Sequence, residues 1–107
     1  MKNNLEQNLK NLIKKHKVII FIKGEKLQPM CKFSQIVIKI LNSFNIDYHT
    51  VNVLKDKQIK ENIKNYSKWP TIPQVYIDNE FIGGADILLE LYNSSELQEK
   101  LEKVFNH

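Results

Sequence analysis

Residues 18–44 read VIIFIKGEKLQPMCKFSQIVIKILNSF, and the order of patterns in this stretch decides the fold. Val18-Ile19-Ile20-Phe21-Ile22 is continuously apolar and mostly β-branched, the pattern of a strand covered on both faces and therefore central in its sheet. Lys23 to Pro29 is polar and contains Gly24, which reads as a loop. Beyond it Phe33, Ile36, Val37, Ile40, Leu41 and Phe44 recur at helical spacing, which predicts a helix with one buried stripe. A buried strand followed by an amphipathic helix is the first half of a parallel crossover.

Downstream, Tyr48 to Val53 reads as the second strand of that crossover, and Ile59, Ile63 and Tyr66 mark a shorter helix ending before Trp69-Pro70. Gln74 to Ile77 and Glu80 to Ile82 flank Asp78-Asn79, the pattern of a hairpin that Gly83-Gly84 then breaks. Asp86 suits the cap of a helix carrying Ile87, Leu88 and Leu91. Ser95 with Gln98 matches a capping box for a last helix carrying Leu97, Leu101, Val104 and Phe105. Upstream, Leu5, Leu9, Leu12 and Ile13 give an amphipathic first helix that packs on the domain, with a membrane-surface or targeting helix as the alternative. The order α-β-α-β-α-β-β-α-α implies an α/β domain with a mixed four-stranded sheet and helices on both faces.

A chain of 107 residues is expected to form one domain over residues 1–107. At 42% hydrophobic and 26% charged, its composition is that of a globular protein. The longest apolar run falls far short of the roughly 20 residues of a membrane span, which argues against stable membrane association. Sixteen lysines, no arginine and 12 acidic residues give +4, and residues 1–17 hold five lysines against one glutamate, so the rest of the chain is balanced. Nucleic-acid binding is not expected from such a pattern. No secretory signal is visible, and one cysteine fits a reducing compartment. The expected location is the cytoplasm, or a mitochondrion or other organelle if a targeting segment has been removed.

That cysteine, Cys31, falls between Pro29-Met30 and the first turn of the strongest helix. Unpaired N–H groups and the helix dipole favour a thiolate there, and Lys23 and Lys32 are placed to lower its pKa further. Trp69-Pro70-Thr71-Ile72-Pro73-Gln74 forces extended backbone before a strand, leaving the N–H and C=O of Ile72 free to pair with an extended ligand. Gly83-Gly84-Ala85-Asp86 permits close backbone approach at a helix N-terminus, where a carboxylate and an ammonium can be held. His16, His49 and His107 are scattered and read as surface or structural residues, not a zinc site.

Together, Lys23, Pro29-Met30-Cys31-Lys32-Phe33-Ser34, Trp69 to Gln74 and Glu80 to Asp86 resemble the monothiol glutaredoxins of the thioredoxin fold, the Cys-Gly-Phe-Ser class. The resemblance implies a glutathione groove, with Lys23 and Lys60 near the glycine carboxylate and Lys64 as a rival to Lys60. Thr71, Ile72 and Pro73 would pair with the cysteinyl backbone, Gly84, Ala85 and Asp86 would grip the γ-glutamyl end, and Ile72-Pro73 would be cis. Lys32 stands where the family has Gly, and Ala85 where many members have a second Cys.

The resemblance further implies a [2Fe–2S] cluster. One Cys per chain cannot supply its four ligands, so the expected form is a homodimer bridged through two Cys31 thiolates, as metal ligands, and two glutathiones. The apo protein would be a monomer, and its partners glutathione and cluster-donor or cluster-acceptor proteins. The alternative is a glutathione-dependent monothiol oxidoreductase with Cys31 as catalytic nucleophile. Ser34 occupies the place of a second thiol, so dithiol chemistry is excluded.

Overall fold

The computed structural model describes residues 2–106. Helix α1 (Lys2–Lys15) leads into β1 (Val18–Ile22), followed by β2 (Gly24–Glu25), β3 (Gln28–Pro29), α2 (Lys32–Asn42), β4 (His49–Asn52) and α3 (Lys57–Ser67). Strands β5 (Gln74–Ile77) and β6 (Glu80–Gly83) and helices α4 (Ala85–Asn93) and α5 (Glu96–Phe105) complete the order. The main sheet runs β4-β1-β5-β6, with β1 parallel to β4 and antiparallel to β5.

All five residues of β1 are buried, as expected for a strand with neighbours on both edges and helices on both faces. Side chains alternate across a strand. Val18, Ile20 and Ile22 join Val37, Leu41, Leu88 and Leu97 from α2, α4 and α5, while Ile19 and Phe21 join Leu9, Ile13 and Ile63 from α1 and α3. Each fully buried aliphatic side chain contributes about 1.5–3 kcal/mol relative to exposure, so both layers hold β1 in register. Helix α1 is thus a core element: Leu9 is 5% exposed and Ile13 fully buried. The turn between β5 and β6 forms at Asp78-Asn79, both at positive φ (50° and 68°), the conformation that a two-residue hairpin favours.

Four local expectations are corrected. The stretch expected as a loop contains a second small sheet of β2 and β3, in which Gly24 faces Pro29 and Glu25 faces Gln28. Its register is set from 28 residues away: Asn52 Oδ1 accepts from the Gly24 N–H at 3.0 Å, Asn52 Nδ2 donates to Glu25, and Lys55 pairs with Glu25 at 2.8 Å. Gly24 sits at φ +102°, where a Cβ would lie 2.6 Å from the Met30 nitrogen. Helix α4 is capped by Gly84, with Asp86 inside the first turn. Ser95 adopts φ 68° and its side chain makes no capping bond, while Gln98 donates to Glu102 instead. Finally, Phe33 leaves the buried stripe of α2, being 50% exposed, and Ile38 enters it at 6%.

His16 and His49 are not scattered: their rings stack at 4.0 Å between centroids and 3° between planes. His107 lies outside the described residues. Burial of the His49 ring, then the neighbouring His16 and Lys15, push its pKa below the ordinary 6.5. The folded chain therefore resists a proton that the unfolded chain accepts, so stability is lost as pH falls from about 6.5 toward the depressed value. Urea unfolding between pH 7 and 5 is expected to show this slope, and His49→Gln to flatten it; an unchanged slope would place the proton elsewhere.

Candidate functional site

Cys31 precedes α2 as its N-cap residue, in extended conformation (φ −143°, ψ 139°), so its side chain sits beside the free N–H groups of the first turn. Its position is fixed from β1. The Lys23 backbone N–H donates to the fully buried Ser34 hydroxyl at 3.2 Å, and the Lys23 carbonyl accepts from the Met30 N–H at 2.8 Å. The end of the central strand is thereby tied to residues on both sides of the cysteine. Partial burial pushes the Cys31 thiol up, but the backbone N–H groups of Ser34 and Phe33, the Ser34 hydroxyl and the Lys23 charge together draw its pKa below the ordinary value. Lys32, expected to share in this, is not among the causes, and its side chain is exposed.

A groove of ≈ 610 Å³ opens beside the thiol. Lys23, Lys60 and Lys64 line it together with Thr71, Ile72 and Pro73 and with Gly84, Ala85 and Asp86, so it brings together Cys31, every sequence-predicted site residue and the rival Lys64. Lys60 and Lys64 lie one turn apart on α3 and both reach the groove. Lys64 has a distant partner in Glu61 at 3.9 Å, while among the described residues Lys23, Lys60 and Asp86 enter no ion pair. The floor is Ile72-Pro73, whose peptide bond is cis. The Ile72 side chain is buried, and its backbone N–H and C=O make no backbone hydrogen bond among the described residues. At the far end the N-terminus of α4 has no side-chain cap, and Gly84 lies so close to the loop that a Cβ there would meet the Pro73 carbonyl at 3.3 Å.

Chemically the groove pairs a nucleophilic thiol with two unneutralised ammonium groups, an open extended backbone and a helix N-terminus beside a carboxylate, which suits an extended, mainly anionic peptide thiol. Phe33 and Ile87 also wall the groove, which their sequence spacing hid because it fits the apolar stripes of α2 and α4, and Pro70 joins them from within the Trp69–Gln74 motif, where only Thr71, Ile72 and Pro73 were expected to contribute. A larger hollow of ≈ 990 Å³ between Ser43–Asp47, Tyr92 and α5 holds no thiol and no lysine, so the smaller groove is the candidate site. No group of three or more His, Cys, Asp or Glu gathers as a metal site among the described residues, and no helix is long and apolar enough to cross a membrane.

Fold and site define a thioredoxin-fold protein working with a single thiol. The glutaredoxin family model matches residues 18–82, from the start of β1 into β6. A monothiol glutaredoxin, ycf64-like, from Synechocystis is 49% identical over 95% of both chains. The mitochondrial glutaredoxin-related protein 5 of Danio rerio is 47% identical over 92% of this chain, which spans 64% of that protein. The solution structure of reduced poplar apo GrxS14 superposes with a TM-score of 0.83, at 47% identity, over 96% of this chain and 94% of that one. The chain belongs to the glutaredoxin family, among its monothiol members.

Because the thiol's charge balance rests on Ser34, Phe33 and Lys23, iodoacetamide alkylation of Cys31 should inflect below the free-thiol value of about 8.5. Lys23→Gln is expected to move the inflection upward and Lys32→Gln to leave it in place. The reverse ranking would return the electrostatic role to Lys32.

Proposed function

We propose that this protein binds glutathione in the groove beside Cys31 and carries a [2Fe–2S] cluster between two subunits for transfer to acceptor proteins. The observation that carries the reading is the groove itself, where the single thiol, the free lysines and the open Ile72 backbone meet. The glycine carboxylate of glutathione pairs with Lys23 and Lys60, with Lys64 beside them on α3. The Ile72 backbone, flanked by Thr71 and Pro73, takes the cysteinyl residue as an added extended segment. The γ-glutamyl carboxylate lies against the α4 N-terminus at Gly84 and Ala85, with its ammonium toward Asp86. This places the glutathione sulfur next to Cys31.

A [2Fe–2S] cargo takes four thiolates, and each chain offers one. Two Cys31 thiolates and two glutathione thiolates complete the set, which makes the loaded form a dimer and the apo form a monomer. Charge supports this order of events: two faces each presenting Lys23, Lys32 and Lys60 repel until anionic glutathione and cluster lie between them. Lys32 adjoins the thiol on an exposed stem, where a smaller residue would leave more room for a second subunit, so the dimer should be looser than with Gly at this position.

The lowered thiol pKa favours a second reaction in the same groove. The Cys31 thiolate attacks the glutathione sulfur of a glutathionylated protein, forming the Cys31–glutathione disulfide as the protein thiolate leaves. A second glutathione thiolate then attacks that disulfide, releasing oxidised glutathione and restoring Cys31. Both activities suit a reducing compartment, cytoplasm or organelle. The whole of residues 1–107 acts as one domain in either.

Anaerobic reconstitution with iron, sulfide and glutathione, followed by absorption spectroscopy and sizing, is expected to give a coloured dimer containing one glutathione per chain, and Cys31→Ser to give none. A cluster formed without glutathione, or held by a monomer, would overturn the bridged arrangement. A colourless wild type that still deglutathionylates would leave the oxidoreductase reading alone.

A further inference from the structure

Gln74 is fully buried at the start of β5, one residue beyond the cis-proline, and is not among the groove-lining residues. A buried amide with two N–H donors and a carbonyl must find partners or destabilise the fold. Here every partner is specific. Its Nε2 donates to the Trp69 carbonyl at 3.1 Å and to the Thr71 carbonyl at 3.3 Å, while its Oε1 accepts from the Tyr76 hydroxyl at 3.1 Å. The Tyr76 ring is itself buried, which pushes its pKa far upward, so the hydroxyl stays a neutral donor throughout the physiological range. At the end of α3 the Ser67 Oγ donates to the Ile63 carbonyl at 3.0 Å and accepts from the Trp69 N–H at 3.1 Å.

These bonds run from the C-terminal turn of α3, through Ser67 and the Trp69 peptide groups, to Gln74, which also holds Thr71 and is itself held by Tyr76. The helix at one end carries Lys60 and Lys64, and the loop at the other carries the open backbone of Ile72. The two halves of the groove are therefore locked in register by side chains that do not enter it. We infer that Gln74 is a positioning residue for ligand binding: by holding the Trp69 and Thr71 carbonyls away from the groove, it keeps the Ile72 N–H and C=O presented to an extended peptide thiol, with Tyr76 fixing the amide's orientation. The inference rests on the glutathione reading above and goes beyond it in assigning the preorganisation of the groove to a residue outside it.

Gln74→Met keeps the volume and the apolar packing but removes all three hydrogen bonds. Calorimetric titration with S-methylglutathione, well below each variant's melting temperature, is expected to show roughly tenfold weaker binding for Gln74→Met and a smaller loss for Tyr76→Phe, as for the removal of buried hydrogen bonds. The double variant should bind no worse than Gln74→Met, since the two groups act as one unit. The alkylation profile of Cys31 should not move, because its partners are Lys23, just after β1, and Phe33 and Ser34 on α2, and that separates lost positioning from general loosening. A folded Gln74→Met that binds within twofold of wild type, whatever its melting temperature, would overturn the inference. If Gln74→Met does not fold, Tyr76→Phe decides alone: weaker binding supports the role and unchanged binding overturns it. A wild-type chain that binds no S-methylglutathione would instead overturn the glutathione reading, and the positioning role would fall with it.

Discussion

Lys23 uses both of its backbone polar groups to fix the position of the only thiol in the chain. Its N–H reaches the buried hydroxyl of Ser34 on α2, and its carbonyl receives the N–H of Met30, so the residues on either side of Cys31 are pinned to the residue that follows β1. β1 is in turn immobilised by burial on both faces and pairing on both edges. A thiol carried by a free loop would spend rotational and translational freedom on every encounter with a ligand. One held between a buried strand and a helix N-terminus has lost that freedom during folding. The same anchoring sets the thiol's acidity, because the Ser34 and Phe33 N–H groups and the Lys23 charge stabilise a thiolate only while the junction keeps them aimed at it.

The groove is assembled from three elements that meet only in the folded chain: the β1–α2 junction, the α3 helix with the loop after it, and the β6–α4 turn. Gly84 permits one of these approaches, where an added Cβ would meet the Pro73 carbonyl at 3.3 Å. Gln74 and Tyr76 brace the middle section from beneath. The groove is thus lined on a framework whose buried side-chain polar groups are satisfied internally: none is left without a partner among the described residues.

What could be read from the sequence was what depends on near neighbours. The run at Val18–Ile22 and the helical spacing after Lys32 suffice for a strand and a helix, and the motifs at Cys31, Trp69–Gln74 and Gly83–Asp86 mark most of the residues that the groove brings together, whereas Lys60 and Lys64 on α3 followed only from the family resemblance. Distant partners hid the rest. The small sheet at residues 24–29 depends on Asn52, and the stacking of His16 on His49 depends on the parallel pairing of β1 with β4. Phe33 has the spacing of a core residue, yet it lies in the first turn of α2, where the helix begins at the groove and offers no cover. Asp86 and Ser95 carry capping chemistry, but the chain enters α4 through Gly84 and reaches α5 with Ser95 in a left-handed conformation.

The proposed function requires that the groove beside Cys31, and not the larger hollow between Ser43–Asp47 and α5, receive an extended anionic peptide thiol. Titrating isotope-labelled protein with S-methylglutathione, which cannot form a disulfide, and following the amide resonances tests it directly. The expected result is that the largest shifts fall at Ile72 and at Gly84 to Asp86, with smaller ones at Cys31 and Lys60. Shifts confined to Ser43–Asp47, Tyr92 and the facing turn of α5, or no saturable shifts at all, would contradict it.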